Sequence, residues 1–269
     1  MTQTQPSMKD ESKAERKARK LLEKQNKLAQ SVPVSSSSNN KYVVCLKWGN
    51  KYSAEYVNRL YNMVQRNLNI NYEFVCFTDS SQDIDKRIRT EPLPKMPVVG
   101  WWYKPYFFSK DIPLKGTVLF LDLDVVIFRN INELFTYQPG KFCIIRDFNR
   151  KFRPTWDRMN SSVFRLETGM FDHLWEDFKR NPAVHLQRNR GDQDWMYRYV
   201  KGHEFWPDQW IRSYKWEMRD STKLTMVQGK RNFSDVADPS ISMLNKIAVF
   251  HGDPNPADCR DPWVIDNWK

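Results

Sequence analysis

Two aspartates separated by a single residue interrupt a dense apolar stretch of the chain. Asp122 and Asp124 lie within Val118–Phe128, whose other residues are all apolar. A run this dense predicts a strand buried on both faces, and a spacing of two places both carboxylates on one side of it. Two residues of strand separate them by about 6 to 7 Å. Like charges this close are costly to bury unless a positive group lies between them.

A divalent cation is the positive group that this pair of carboxylates favours. Carboxylate oxygens are hard ligands that suit Mn²⁺ or Mg²⁺. The alternative is a strand end at which both acids reach water or pair with Arg or Lys. Under either interpretation, the sequence predicts that the chemistry centres on Asp122 and Asp124.

Three further polar patches follow this pair along the chain. Met159–Phe164 places amide and hydroxyl groups before an apolar run, and Gly191–Trp195 opens a predicted helix with acids at its N-terminus, where the helix dipole favours them. Phe250–Pro256 follows the last apolar run with a turn rich in Gly and Pro and one of the four histidines. Each patch alone could be a helix cap, a turn or a histidine at the edge of the core. Their order after the acidic pair indicates a site.

The elements that must position these residues follow an alternating pattern. Tyr42–Leu46 and Tyr72–Thr78 are predicted strands, and Ser53–Asn67 between them is a predicted helix with Ser53 as its N-cap. Strand–helix–strand at this spacing predicts a parallel α/β sheet. Ligands bind beyond the carboxyl ends of such strands, which is where Asp122 and Asp124 fall. Further predicted elements are strands at 142–146 and 247–250 and helices at 171–178 and 194–200.

The four patches in this order resemble the GT-A fold nucleotide-sugar glycosyltransferases, within them the family 8-like group of glycogenin and the bacterial lipopolysaccharide galactosyltransferases. The resemblance spans roughly residues 41–263. Asp122-Leu123-Asp124 matches the family's D-x-D, and Asp192-Gln193-Asp194 matches its Asp-Gln-Asp helix opening. Asn160-Ser161-Ser162 approximates its Asn-Ala/Ser-Gly segment, and His251-Gly252 with Asn255-Pro256 approximates its late His–Gly–Lys–Pro turn. The resemblance implies a Rossmann-like, mostly parallel central sheet flanked by helices.

Three positions depart from the family pattern. His251 lies immediately before its glycine, closer than in the family, and Ser162 replaces a glycine that allows close approach to the sugar. Asn255 stands where a phosphate-binding lysine is usual. That contact would then be weaker, or be made by Lys246 or Arg260.

The resemblance also implies a role for each site residue. Asp122, Asp124 and His251 would hold Mn²⁺ or Mg²⁺, and Asp192, Gln193 and Asp194 would line the sugar face as the catalytic group. The residues implied to bind the donor are Tyr52, Lys104, Asp122, Asn160, Ser161, Gly252 and Asn255.

Some of these residues also have ordinary structural explanations. Tyr52 could stack on the donor base or could pack at the start of the helix. Lys104, before Pro105, could face the donor phosphate, pair with an acid or lie on the surface. Arg212 and Lys215, between Trp210 and Trp216, could reach the diphosphate or an anionic acceptor, or lie in a solvated loop.

The resemblance implies metal-dependent transfer of a sugar with retention of configuration. The donor would be a nucleotide sugar, with a UDP-sugar favoured, and the acceptor a hydroxyl of a glycan, a lipid-linked molecule or a protein. Tryptophans beside the site motifs suggest an acceptor groove. Two alternatives remain open. A haloacid-dehalogenase-type phosphatase would use Asp122 and Asp124 as its Asp-x-Asp nucleophile motif, but that motif normally opens the domain and the Gly-Asp-x-x-x-Asp motif does not follow. A degenerate domain would bind nucleotide sugar or glycan without turnover.

Composition sets the remaining limits. Residues 1–40 are predicted to be a basic tail with a Ser-rich linker, and 41–269 the catalytic domain. The net charge of +11 is shared between the two without a nucleic-acid-binding motif, so no nucleic-acid partner is expected, although the tail could touch an anionic membrane. Four dispersed cysteines, no signal peptide and no long apolar span predict a reducing, cytoplasmic setting.

Overall fold

The computed structural model describes residues 40–218 and 241–269, together with the backbone of two strands between these ranges. Of the tail predicted over residues 1–40, residues 1–39 lie outside the described residues. Asn40 already belongs to the folded part, because its carbonyl oxygen accepts a hydrogen bond from the amide of Thr117.

A seven-stranded mixed sheet forms the centre of the fold. Its strand order is β3-β2-β1-β4-β7-β6-β8, and four of the six pairings are parallel. The strands are β1 Lys41–Lys47, β2 Glu73–Thr78, β3 Arg89–Pro92, β4 Thr117–Leu121, β6 Phe142–Arg146, β7 Met159–Glu167 and β8 His203–Phe205. The prediction of a mostly parallel α/β sheet is therefore confirmed.

A second, three-stranded sheet is built from β5 Val125–Ile127, β9 Ile211–Ser213 and β12 Ile247–Val249 in the order β5-β12-β9. A separate hairpin pairs β10 Leu224–Val227 with β11 Lys230–Phe233. The helices are α1 Ala54–Asn67, α2 Glu133–Thr136, α3 Asp172–Arg180, α4 Pro182–Arg188, α5 Asp192–Tyr199, α6 Tyr214–Glu217 and α7 Pro262–Asn267. Short 3-10 helices run over Gly100–Phe108, Phe148–Lys151 and Pro256–Asp258.

The core consists of two apolar layers, one on each face of the large sheet. Strand β1 shows how the sequence produces them, because its buried side chains alternate between the layers: Val43 and Cys45 face one, Tyr42 and Val44 the other. Helix α1 packs on the first layer through the apolar face that its periodicity predicts. Ser53 occupies the N-cap position as predicted, but its hydroxyl makes no capping hydrogen bond.

The prediction of one continuous strand over Val118–Phe128 is wrong. The chain leaves the large sheet after Leu121 and re-enters strand structure at Val125 in the three-stranded sheet. The apolar residues on both sides of the acids are buried, as expected, but they serve different sheets. The hydrophobic pattern of a sequence indicates which residues are buried but not which strand they pair with. The change of sheet at Asp122–Asp124 therefore could not be predicted from that pattern.

Other predicted elements are present with end shifts of a few residues. The helix expected over 171–178 runs over Asp172–Arg180, and the one expected over 194–200 begins at Asp192. Asn160–Ser162 was expected to precede an apolar strand but lies within β7, where the three side chains are buried. The four cysteines are buried and unpaired. Within the described residues, no helix combines the length and apolarity needed to cross a membrane.

Candidate functional site

The acidic pair lies at the edge where both sheets end. Asp122 follows β4, and its amide continues the pairing with β7 by donating to the carbonyl oxygen of Ser162 at 2.8 Å. Asp124 precedes β5, and its carbonyl oxygen accepts from the amide of Phe250 at 2.9 Å. The turn between the two acids is therefore one covalent junction between the large and the small sheet. The predicted position at the carboxyl end of a central strand is confirmed by this topology.

The large-sheet side of the site is organised around a buried lysine. The ammonium of Lys104 lies 2.9 Å from a carboxylate oxygen of Asp122 and 3.4 Å from one of Asp192. It also donates to the carbonyl oxygen of Ser161 at 3.1 Å. Burial opposes the charge of this ammonium, but the two carboxylates outweigh burial and raise the pKa of Lys104. Lys104 therefore stays charged and links two of the predicted site acids.

Lys104 is held by the aromatic 3-10 helix that precedes β4. This helix, Gly100–Phe108, anchors Trp102, Phe107 and Phe108 in the core, where Phe107 lies 5.0 Å from Phe120 of β4, centroid to centroid. A ring system fixed in this way limits the movement of the lysine stem. The rigid core thus determines where the ammonium lies.

Asp124 has a different environment from Asp122. The hydroxyl of Tyr52 donates to its carboxylate at 2.9 Å, and no basic side chain of the described residues forms an ion pair with it. Burial and the neighbouring charge of Asp122 raise the pKa of Asp124 to about 7. The alternative that both acids pair with Arg or Lys therefore holds for Asp122. It does not hold for Asp124, whose carboxylate lacks a cationic partner among the described residues.

Tyr52 has the packing role that was one of its two expectations, and stacking on a donor base stays a prediction. Its ring lies 4.7 Å from that of Tyr56 in helix α1, centroid to centroid, and the ammonium of Lys51 lies 4.7 Å from the ring. Its hydroxyl nevertheless reaches the site through Asp124. Tyr52 is thus a packing residue at the start of the helix whose polar end orients a site carboxylate.

The polar residues of β7 meet the start of α5 beside Lys104. The hydroxyl of Ser161 donates to the carboxylate of Asp192. The side-chain oxygen of Asn160 accepts from the amide of Ser162 at 3.1 Å, and its nitrogen faces the side-chain oxygen of Gln193 at 3.5 Å. These hydrogen bonds bring together two of the predicted patches.

His251 lies on the small-sheet side of the site. It follows Phe250, whose amide bonds to Asp124, and its ring stacks on Phe148 at 5.4 Å. Its Nε2 lies 2.6 Å from the hydroxyl oxygen of Ser213 at the end of β9. Burial and the charge of Lys215 lower the pKa of His251 to about 3, so the imidazole is neutral near pH 7. A neutral imidazole is the form that binds a metal.

A lysine lies beside the late Gly/Pro turn, although not at the position that the sequence motif would give it. The ammonium nitrogen of Lys215 is 2.9 Å from the place where a Cβ on Gly252 would stand, and Gly252 has a φ of +78°. The positive φ explains why this position is glycine, since the lysine end could move aside. Asn255 precedes the 3-10 helix Pro256–Asp258 without capping it through its side chain.

The two basic residues considered as substitutes for the missing family lysine are placed differently. Lys246 lies away from the turn, since its ammonium bonds to Glu133 at 3.0 Å and to the carbonyl oxygen of Asn130 at 3.1 Å. Arg260 is exposed. Lys215, which the sequence left between a solvated loop and a phosphate contact, is the basic residue beside Gly252.

The side chains expected to bind a metal have suitable donor atoms but are occupied by protein partners. Two carboxylates and a neutral imidazole are a set that Mn²⁺ accepts. Asp122 is bonded to Lys104, Asp124 to Tyr52 and His251 to Ser213. Over residues 40–218 and 241–269, no group of three or more His, Cys, Asp or Glu side chains is already gathered as a metal site. The chemistry of the set fits a divalent cation, and a cation would offset the raised pKa of Asp124.

A cavity of about 310 Å³ opens on the other side of Gln193. We call it the Gln193 cavity. Its lining includes Asp147, Trp156, Arg158, Arg190, Gln193 and Asp194. Of these, the sequence pointed only to Gln193 and Asp194. The others lie in loops between β6 and β7 and before α5, where no periodicity or motif marks them.

Solved structures with a similar fold include two of LgtC. One, described as the galactosyltransferase in complex with donor and acceptor sugar analogues, has a TM-score of 0.58 and 12% identity, covering 84% of this chain and 93% of that one. The other, an active-site variant with glutamate in place of glutamine, has a TM-score of 0.56 and 12% identity at the same coverages.

A third similar structure is the apo form of the glycosyltransferase GlyE of Streptococcus pneumoniae TIGR4, with a TM-score of 0.52 and 12% identity, covering 84% of this chain and 62% of that one. No protein-family model and no curated protein sequence matches the chain. The chain therefore has the fold of these glycosyltransferases.

Proposed function

We propose that this protein is a glycosyltransferase that uses a nucleotide-sugar donor, a UDP-sugar by preference, and a divalent cation. The observation that carries the proposal is the meeting of both sheets at one acidic edge. There the large sheet contributes Asp122, Lys104 and Asp192, and the small sheet contributes Asp124 and His251. A nucleotide-sugar donor has two corresponding parts. Its diphosphate carries negative charge, which a cation held by the acids would meet, and its sugar carries hydroxyl groups, which can bond to carboxylates.

The metal would be held by Asp122, Asp124 and His251. When bound, it would offset the charge that builds on the leaving nucleoside diphosphate. Burial and the neighbouring charge of Asp122 raise the pKa of Asp124, and the repulsion between the two carboxylates favours uptake of a cation. Tyr52 and Ser213 would then keep Asp124 and His251 oriented as their hydrogen-bonding partners.

The sugar face would be formed by Asp192, Gln193 and Asn160. Asp192 is fixed by Lys104 and Ser161, so its carboxylate is available in one orientation for a sugar hydroxyl. The LgtC variant with glutamate replaces an active-site glutamine, and Gln193 is the glutamine beside the acidic edge here. This likeness supports a place for Gln193 at the reacting sugar.

The transfer proceeds with retention of configuration. The acceptor oxygen forms a bond to the anomeric carbon as the bond from that carbon to the diphosphate oxygen breaks. The bonding electron pair leaves with the diphosphate, and the acceptor's hydroxyl proton passes to a phosphate oxygen. The step needs no carboxylate as a separate base, because the phosphate oxygen accepts the proton.

A thermal-shift panel tests the proposal. Unfolding is measured with UDP-, GDP- and other nucleotide sugars, each with and without Mn²⁺. A donor at about 100 times its dissociation constant is expected to add roughly 2.7 kcal/mol to the free energy of unfolding, a shift of several degrees. A metal-dependent shift for one nucleotide class identifies the donor base. No shift with any donor would contradict the proposal, and formation of an aspartyl–beryllium fluoride adduct, which mimics a phosphoaspartate, would favour the phosphatase alternative.

Turnover separates the enzyme from a domain that only binds. The donor that gives the shift is incubated with the protein, and release of free sugar or of a transferred product is followed. We expect slow hydrolysis even without an acceptor, because water can occupy the acceptor position. Binding without hydrolysis or transfer to any acceptor would indicate the non-catalytic alternative.

Replacement of Lys215 by Ala is expected to weaken UDP binding about tenfold. Its ammonium lies beside Gly252, in the place where a charged hydrogen bond to a diphosphate oxygen would form, and such a bond contributes about 1.5 kcal/mol or more. Isothermal titration with UDP and Mn²⁺ measures the change. Lys246→Ala is the matched control, because Lys246 is bonded to Glu133 away from the turn. Equal UDP affinity in the wild type and K215A would remove Lys215 from the donor site.

A further inference from the structure

The Gln193 cavity lies next to the proposed sugar face but outside the acidic edge. Gln193 borders both, since its side-chain oxygen faces Asn160 at 3.5 Å and the residue also lines the cavity. A volume of about 310 Å³ is at the lower end of the range for small-molecule sites, about 300 to 1,000 Å³. The cavity can accommodate a terminal sugar residue next to the reacting donor.

Two exposed arginines and two aspartates line this cavity, so it offers separate positive and negative groups. Arg158 and Arg190 both line it, and neither forms an ion pair with any residue in the described ranges. The guanidinium carbon of Arg158 lies 4.3 Å from the ring centre of Tyr197, which limits its conformations. A planar guanidinium held in this way can bind a carboxylate or phosphate through two parallel N–H groups.

The acids of the cavity are arranged for hydroxyl groups. One carboxylate oxygen of Asp147 accepts from the amide and the side chain of Asn149 and from the indole of Trp156, at 2.7 to 3.0 Å. All three donors bond to one oxygen, so the second oxygen of Asp147 can accept from a sugar hydroxyl. Asp194 lies in the first turn of α5. A ligand therefore needs hydroxyl groups for the acids and an oxyanion for the arginines.

We infer that the Gln193 cavity is the acceptor site and that the acceptor is a saccharide carrying an oxyanion, either a carboxylate or a phosphate. The role of the ligand as acceptor rests on the proposed function. The recognition of an anionic sugar rests on the cavity alone. Arg158 and Arg190 bind the oxyanion, and Asp147 accepts from hydroxyl groups. A remaining hydroxyl then faces Gln193 and the donor, where it replaces the diphosphate at the anomeric carbon as described above.

Binding of simple sugars tests this inference without knowledge of the natural acceptor. Saturation-transfer NMR titrations compare glucose, glucuronic acid, glucose 6-phosphate and inorganic phosphate. We expect at least one of the two charged sugars to bind about tenfold or more tightly than both glucose and phosphate. Whether the carboxylate or the phosphate ester is preferred identifies the source of the oxyanion.

Substitutions at the two arginines assign the binding to the cavity. In the double variant, which combines Arg158→Gln and Arg190→Gln, the affinity for the charged sugar should fall to the affinity for glucose. Arg188→Gln is the matched control, because Arg188 is exposed on α4 and does not line the cavity. A preference that persists in the double variant would overturn the inference, and so would glucose or phosphate binding as tightly as the charged sugars.

The outcome is independent of the proposed function. A charged sugar that binds through the two arginines supports the inference even if the thermal-shift panel finds no donor, in which case the proposed transfer fails alone. A donor that binds while charged sugars show no preference supports the transfer and overturns the inference.

Discussion

Asp124→Asn is expected to abolish the Mn²⁺-dependent thermal shift given by the donor and to lower the transfer rate about a thousandfold or more. The carboxylate of Asp124 has a hydrogen bond from Tyr52 but no cationic partner among the described residues, and its pKa is raised to about 7. An amide of the same size keeps the Tyr52 contact and removes the charge that a cation would meet. Loss of metal stabilisation worth about 4 kcal/mol corresponds to this factor in rate.

The fold of this variant is expected to remain intact. Removing one of two neighbouring like charges relieves repulsion, so D124N without metal should unfold at the same temperature as the wild type or above it. Asp266→Asn is the matched control, because Asp266 is exposed on α7 and lies outside the site. Retention of the Mn²⁺-dependent shift in D124N would show that Asp124 is not a ligand.

Lys104→Met is expected to destabilise the protein by about 3 to 5 kcal/mol, measured by denaturant unfolding. Lys104 is 5% exposed and lies between Asp122 and Asp192, so its removal leaves two carboxylates without their cation. Breaking a buried ion pair on one side carries this cost because the remaining charge stays desolvated. For a domain of this size, the melting temperature should fall by roughly 6 to 20 °C.

Two further variants separate charge from packing at this position. Lys104→Met combined with Asp122→Asn and Asp192→Asn removes all three charges and should recover much of the lost stability. Lys110→Met is the surface control, because the ammonium of Lys110 is largely exposed where it meets Asp172 at 2.8 Å, and it should change the melting temperature little. A K104M protein that melts like the wild type would show that Lys104 does not hold these acids together.

The sequence predicted the part of the site that lies within one element or at its end. Asp122 and Asp124 stand out because charges in an apolar run are costly, and Asp192 to Asp194 because they open a helix. The sequence left pairing of Lys104 with an acid as one of three possibilities, and the structure shows that Lys104 pairs with Asp122 and Asp192. The donor, the metal and the individual site roles remain predictions.

Contacts between distant segments were beyond single-sequence reasoning. The place of Lys215 depends on the parallel pairing of β9 and β12. This pairing brings Lys215 beside Gly252, although 37 positions separate the two residues in the sequence. Likewise, Arg158 and Arg190 belong to two loops that meet only because β7 and α5 are neighbours. Loops carry no hydrophobic period from which such a meeting could be predicted.

The junction between the two sheets has a consequence for cooperativity. Asp122 and Asp124 belong to different sheets, so a ligand held by both spans a boundary that the backbone crosses in three residues. Such a ligand acts as a clamp and couples the local opening of β4 and β7 to that of β5 and β12. Amide hydrogen exchange should therefore slow in both sheets together when the clamp is bound, including in strands that touch no part of the ligand.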